Sequence, residues 1–218
     1  MLKREEINRK LLHIVALLMP IGIFYVPVLT PCSKWTGPAV LAGLFTASIF
    51  LEELRLKNRG IRERFTAWFG TLMRQDEKQR ATGATFIIGG ALICSVVFVD
   101  SPHISFIVLT LFIIGDAAAA LVGQSLGRIP IFGKSLEGSM ACFTACMILF
   151  AVVFPHVPLL ERQWQSGHIP ISSMIVTSLA VTILELVPIR ITKHLLLNDN
   201  LYVPVAAGLI MKGFTVLS

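Results

Sequence analysis

The chain has 218 residues, 55% of them apolar and only 15% charged, with a formal net charge of +6. Its mean hydropathy is +0.76. Soluble domains carry roughly 25% charged residues, so a chain this apolar cannot cover its own surface with polar groups. A water-soluble globule, a disordered chain, a coiled coil and a disulfide-knotted secreted domain are all excluded. The composition predicts a polytopic membrane protein.

Taken in chain order, a basic tail with Lys3, Arg4, Arg9 and Lys10 precedes an apolar run at 11–29. That run lacks an A-x-A-like cleavage site, so it reads as a retained first span rather than a signal peptide. Further charge-free or nearly charge-free runs follow at 37–51, 83–99, 104–123, 138–160, 170–188 and 201–217. The second is short and closed by Glu52 and Glu53, and the seventh carries Lys212. The runs are continuously apolar without alternation, which favours helices over a barrel. A spanning helix needs ~20 residues, so the expected fold is an all-α membrane bundle of about seven transmembrane helices. No repeat or linker divides it, and residues 1–218 read as one membrane-embedded domain. The four cysteines form no CxxC pair and no zinc-spaced cluster. They read as small hydrophobes.

Lysine and arginine set the orientation. Sixteen of the nineteen basic residues fall in the N-terminal tail and in the 52–82, 124–137 and 189–200 loops. The N-terminus and these three loops are therefore expected on the cytoplasmic side. The 52–82 loop also places Ile61, Phe65, Trp68, Phe69 and Leu72 among its bases. It reads as a basic amphipathic surface helix, suited either to an anionic interface or to fixing topology alone.

An ionisable residue inside a span is a functional candidate, and Asp116 is the clearest one. It follows Gly115 and precedes four alanines, where small residues let helices approach closely. An acid there can pair with a neighbouring arginine, but the loop that follows favours a metal or phosphate role. That loop holds Gly123, Gly127, Arg128, Gly133, Lys134, Ser135, Glu137 and Gly138. Glycines present backbone N–H groups to phosphate oxygens. Arg128 and Lys134 add positive charge, and a helix beginning near Gly138 would aim its dipole at an anion. Asp116 and Glu137 suit magnesium, which usually takes one or two carboxylates plus substrate phosphates. The same residues also suit a sharp turn with positive-inside charges. Gly133-Lys134-Ser135 is not a Walker A motif, because Arg128 stands where the first glycine belongs and the segment joins two spans.

Glu185 ends the sixth run, and Asn198-Asp199-Asn200 precede the seventh. The asparagines suit helix caps, while Asp199 puts another carboxylate at the membrane face of Asp116 and Glu137. Carboxylates with Arg and Lys at one interface fit metal-assisted phosphoryl chemistry. Arg9, Lys10 and His13 lie at the same face, with Arg9 and His13 four residues apart on one side of a helix.

On these residues the chain resembles the membrane family of CTP-dependent lipid kinases: dolichol kinase, phytol kinase and the CTP-dependent diacylglycerol kinase. The matching pieces are Arg9-Lys10-Leu11-Leu12-His13, Thr82-Gly83-Ala84-Thr85, Gly115-Asp116 through Arg128, Gly133 through Ser139, Glu185, and Asp199 through Pro204. They run in family order over nearly the whole chain. The resemblance implies transfer of the γ-phosphoryl group of CTP, with Mg2+, to a polyprenol, phytol or diacylglycerol hydroxyl at the cytoplasmic face. It implies nucleotide and phosphate contacts at Gly123, Gly127, Arg128, Gly133, Lys134, Ser135 and Gly138. Metal or catalytic roles fall to Asp116, Glu137 and Asp199, with Arg9, Lys10, His13, Glu185 and Asn200 as further candidates. Asp116 and Asp199 compete for the alcohol's proton. The central block is also distantly similar to phosphatidate cytidylyltransferase, the alternative enzyme, although that family's His-Gly-Gly and Asp-Arg-x-Asp signature is lacking. A CDP-alcohol phosphotransferase is disfavoured, since Ile131 stands where its first further aspartate belongs. A small transporter or lipid-binding scaffold would explain the spans and Asp116, but not the basic glycine loop joined to Glu137 and Asp199.

Overall fold

The structure, a computed structural model, describes residues 14–70, 73, 77, 79–164, 167–192 and 195–217. Over these residues the chain is all-helical apart from two short hairpins. Eight α-helices are described: α1 (Leu18–Leu29), α2 (Thr36–Lys57), α3 (Arg59–Phe69), α4 (Gly83–Val97), α5 (Pro102–Leu126), α6 (Leu136–Ile148), α7 (Ile171–Leu186) and α8 (Asp199–Leu217). Among the described residues each of the seven apolar runs holds a helix, and α3 occupies the amphipathic segment between the second and third. The α6 axis continues through a widened turn at Leu149–Val153 and a tight turn at Phe154–His156. Pro155 lies in that last turn, where it offers no N–H to continue an α-helical ladder.

The second helix departs from expectation. It does not stop at Glu52 but runs on to Lys57, because the Glu52 carboxylate is buried against Arg55 one turn later instead of facing water. Asn58 then ends it and caps α3, its Oδ1 accepting from Gly60 N at 2.9 Å and Ile61 N at 3.2 Å.

The centre of the bundle is α5, where every residue from Ile104 to Ile113 is buried. Phe106 meets Phe24 of α1 with ring centroids 5.4 Å apart. Ser105 Oγ donates to Cys94 O of α4 at 2.9 Å. Gly115 lets α6 close in: a Cβ there would lie 2.8 Å from Cys142 Sγ. Tyr202 ties α8 to α7, its hydroxyl donating to Leu184 O at 2.7 Å. Cys94, Cys142 and Cys146 are free and buried, as small hydrophobes would be, and Cys32 is free and exposed.

The helix faces are arranged for an apolar solvent. On α7, Ile171, Ile175, Leu179 and Ile183 recur every fourth residue and are exposed, while Ser173, Thr177, Ser178, Thr182 and Glu185 are buried. A helix packed in water shows the reverse. Further exposed large apolar residues lie on α1, α2, α4 and α8, far more than scattered surface hydrophobics explain. Two helices, Pro102–Leu126 and Leu136–His156, are long and apolar enough to cross a membrane. Leu18–Leu29, Gly83–Val97 and Ile171–Leu186 are apolar but shorter.

Candidate functional site

The site is built where α5 ends. Residues 127–135 turn back as a hairpin in which β1 (Pro130–Ile131) pairs antiparallel with β2 (Lys134–Ser135), Ile131 opposite Lys134. The two residues between, Phe132 and Gly133, have φ of 49° and 84°. That is the double left-handed signature of a two-residue type I′ turn. Gly133 is needed there for its backbone, since no atom lies within 4 Å of where its Cβ would be.

Gly123, Gly127 and Gly138 serve a different purpose. A Cβ at Gly123 would lie 2.9 Å from Ser135 Oγ, one at Gly127 2.8 Å from the same atom, and one at Gly138 2.7 Å from Ala119 O. The three glycines thus pack α5, the hairpin and the start of α6 around the Ser135 side chain. Ser135 in turn caps α6, its Oγ accepting from Gly138 N at 3.1 Å. The phosphate loop expected from the glycines is therefore first a close-packing device, which sets the α6 N-terminus beside the cavity.

That cavity has a volume of about 560 Å³. Asp116, Ala119, Ala120, Gly123 and Gln124 of α5 form one wall, and Gly127, Arg128, Pro130, Gly133, Lys134 and Ser135 a second. Gly138 and Ser139 of α6, Glu185 of α7 and Asp199 of α8 complete it. Sequence positions from 116 to 199 meet here because α5, α6, α7 and α8 end or begin at one level of the bundle.

Lys134 is the electrostatic centre. Its Nζ donates to Glu185 Oε1 at 2.6 Å and to the Glu185 carbonyl, and lies 3.6 Å from Asp199 Oδ2. Burial alone would push the ammonium down, but Glu185, backed by Asp199 and Asp116, holds it above the ordinary lysine value. It stays cationic throughout the physiological pH range. A group raised in this way stabilises the fold below its unfolded value and loses that contribution only as pH climbs through its folded one. Glu185 is 4% exposed on its side chain, and its Oε2 has no hydrogen-bond partner among the described residues.

Two candidates lie off the cavity wall. Glu137 turns to the hairpin, its Oε2 accepting from Ile129 N at 3.3 Å, and does not join Asp116 and Asp199. The first turn of α6 points its side chain along the loop rather than into the site. Asn200 is buried, and its Nδ2 donates to Gly83 O at 3.2 Å, tying α8 to α4. Asn198 is the ordinary cap, its Oδ1 accepting from Asn200 N at 3.0 Å. Arg9, Lys10 and His13 lie outside the described residues. Among the described residues no three His, Cys, Asp or Glu side chains come close enough to hold a metal alone. Magnesium usually needs only one or two carboxylates when phosphates supply the rest. Asp116 and Asp199, hard oxygen donors on one cavity, fit that donor set.

A polar cluster that the sequence reading passed over stands behind Asn200. Glu52 and Arg55 are both buried. Arg55 Nε donates to Glu52 Oε2 at 2.9 Å, and its Nη atoms reach Glu77 O at 2.9 Å and Arg80 O at 2.6 Å. Glu52 Oε1 accepts from Thr82 N at 2.9 Å and Thr82 Oγ1 at 2.7 Å. The cluster fastens the end of α2, with Glu77 and Arg80, to the start of α4, and through Gly83 to the residue beside Asp199. The signal was present as Glu52-x-x-Arg55, one helical turn apart, followed by Thr82-Gly83.

No family model matches the chain, and no solved structure matches it. It is 27% identical to the uncharacterized protein RP860 of Rickettsia prowazekii (strain Madrid E), over 92% of this chain and 90% of that protein. It is 24% identical to a probable chloroplastic phytol kinase of Triticum aestivum, over 96% of this chain and 67% of that protein.

Proposed function

We propose that this chain is a membrane lipid kinase, transferring the γ-phosphoryl group of CTP to the hydroxyl of a lipid alcohol at the cytoplasmic face. The observation that carries the reading is the cavity: Asp116, Lys134, Glu185 and Asp199 meet at the polar end of a bundle whose outer faces are apolar. The likeness to a probable phytol kinase over most of the chain supports the lipid acceptor. Such a site lets a charged nucleotide arrive from water while the lipid tail stays among helices.

The residues divide the work by charge. Arg128 and Lys134 offset the phosphate charge, and the α6 N-terminus adds its dipole. Lys134 reaches the nucleotide by giving up its Asp199 or Glu185 contact, so the site exchanges one set of anions for another. Asp116 or Asp199 orients the alcohol and takes its proton. Magnesium, held by Asp116 and Asp199 together with the phosphates, would supply charge neutralisation. CTP rests on the family resemblance, since no residue on the cavity wall singles out a base.

In this reading the bundle crosses the membrane seven times with the N-terminus cytoplasmic, the shorter helices matching the bilayer through tilt-free or locally thinned crossings. A cysteine introduced at Pro130 in a cysteine-free background should label only from the cytoplasmic side. Labelling by an impermeant reagent from outside intact cells would reverse the orientation.

The activity itself is tested with purified protein, a panel of lipid alcohols and magnesium. Phosphorylated lipid should form with CTP and scarcely with ATP. Equal rates with the two nucleotides would remove the CTP assignment and leave only a lipid kinase.

A further inference from the structure

We propose that α3 docks on an anionic lipid surface, the headgroup layer of the bilayer in which the bundle sits. Alone among the eight described α-helices, α3 has no buried residue. Its apolar side chains, Ile61, Phe65, Trp68 and Phe69, fall on one face at helical spacing. The aromatic ones form a single patch, with Phe65 and Phe69 centroids 4.9 Å apart and Trp68 and Phe69 6.5 Å apart. Trp68 is 80% exposed. Ile61 and Phe65 are half-buried against the bundle, but a tryptophan that open at the far end of the same face requires a partner, and three observations identify it.

The first is charge. By helical geometry Arg62 and Arg64 flank the apolar arc on either side, while Arg59 and Glu63 pair at 2.8 Å on the opposite, water-facing side. Guanidinium groups bordering an aromatic face suit a shallow position among anionic headgroups, with the aromatic rings at the acyl boundary and the arginines reaching outward. The second is position. The helix begins one residue after α2, whose exposed Phe50, Leu51 and Leu54 belong to the apolar belt of the bundle. The third is anchorage. The Arg55 guanidinium lies 5.2 Å from the Phe65 ring centroid, so the buried Glu52–Arg55 cluster fixes the helix against the bundle and leaves the Trp68 end facing outward. Continuity with the apolar belt of the bundle, together with arginines on both borders, favours the headgroup layer over a protein partner or a second copy.

The test uses the full chain in nanodiscs of phosphatidylcholine, with or without phosphatidylglycerol. The fluorescence of the wild type minus that of Trp68→Phe isolates Trp68, and the substitution touches no core packing. Trp68 should be shielded from the neutral aqueous quencher acrylamide and quenched by lipids brominated near the glycerol end of the acyl chain, more strongly with phosphatidylglycerol. Arg62→Gln with Arg64→Gln should weaken the docked state about fivefold per arginine, the equivalent of ~1 kcal/mol for each basic residue at an anionic surface. Acrylamide access unchanged by phosphatidylglycerol would overturn the proposal. So would shielding without lipid quenching, which would mean that protein covers the patch. Neither readout depends on catalysis, so the result stands apart from the kinase reading.

Discussion

Asp116→Asn is expected to lower lipid phosphorylation by at least ~10²-fold, the lower scale for loss of a general base, while the protein still inserts and purifies normally. The substitution keeps the shape and most of the hydrogen-bonding capacity of the side chain. It removes the negative charge that α5 brings to the cavity, and with it both the ability to bind magnesium and the ability to take a proton. If Asp116 served only to hold helices together, the asparagine would reduce stability and leave activity per folded molecule largely intact. Thermal stability and specific activity measured on one detergent preparation separate the two outcomes. Near-wild-type specific activity would move the catalytic role to Asp199 or to Glu185, the other carboxylates on the cavity wall.

Arg55→Met is expected to cost about 3–5 kcal/mol of stability, the range for removing one partner of a buried ion pair. Arg55 is fully buried, and it holds the Glu52 carboxylate together with the carbonyls of Glu77 and Arg80. Methionine fills much of the space but leaves the Glu52 charge without its cation. Glu52 would keep its bonds from Thr82, so the fold should survive at a much lower thermal midpoint. Adding Glu52→Gln to Arg55→Met should recover part of the loss, because it removes the uncompensated charge. A midpoint unchanged in Arg55→Met would show that the cluster is not structurally coupled to the bundle.

The helices were legible because hydropathy reports directly on which segments leave water, and all seven apolar runs are helical where the structure describes them. The end of α2 was not legible, since hydropathy closes the apolar run at Glu52 and Glu53, and only the partner Arg55 lets the helix carry Glu52 into the protein. Hydropathy gives a charge one meaning; an ion pair gives it another. The same limit applies to the site. Asp116, Lys134, Glu185 and Asp199 were all named from the sequence, and all four line one cavity. Glu137 was named with them, but its direction depends on how the first turn of α6 leaves the hairpin, which composition does not encode. The glycines suggest backbone N–H donors to phosphate oxygens, because that is what flexible backbone offers. Their packing around Ser135 depends on which helices meet there.

Phosphoryl transfer to a lipid is distinguished from cytidylyl transfer by CTP labelled at both the α- and the γ-phosphorus, with wild-type protein in a bilayer containing candidate lipid alcohols and phosphatidate. A lipid kinase sends the γ label into the lipid while the α label leaves in CDP. Appearance of the α label in the lipid, with release of labelled pyrophosphate, would contradict phosphoryl transfer and establish cytidylyl transfer to phosphatidate in its place.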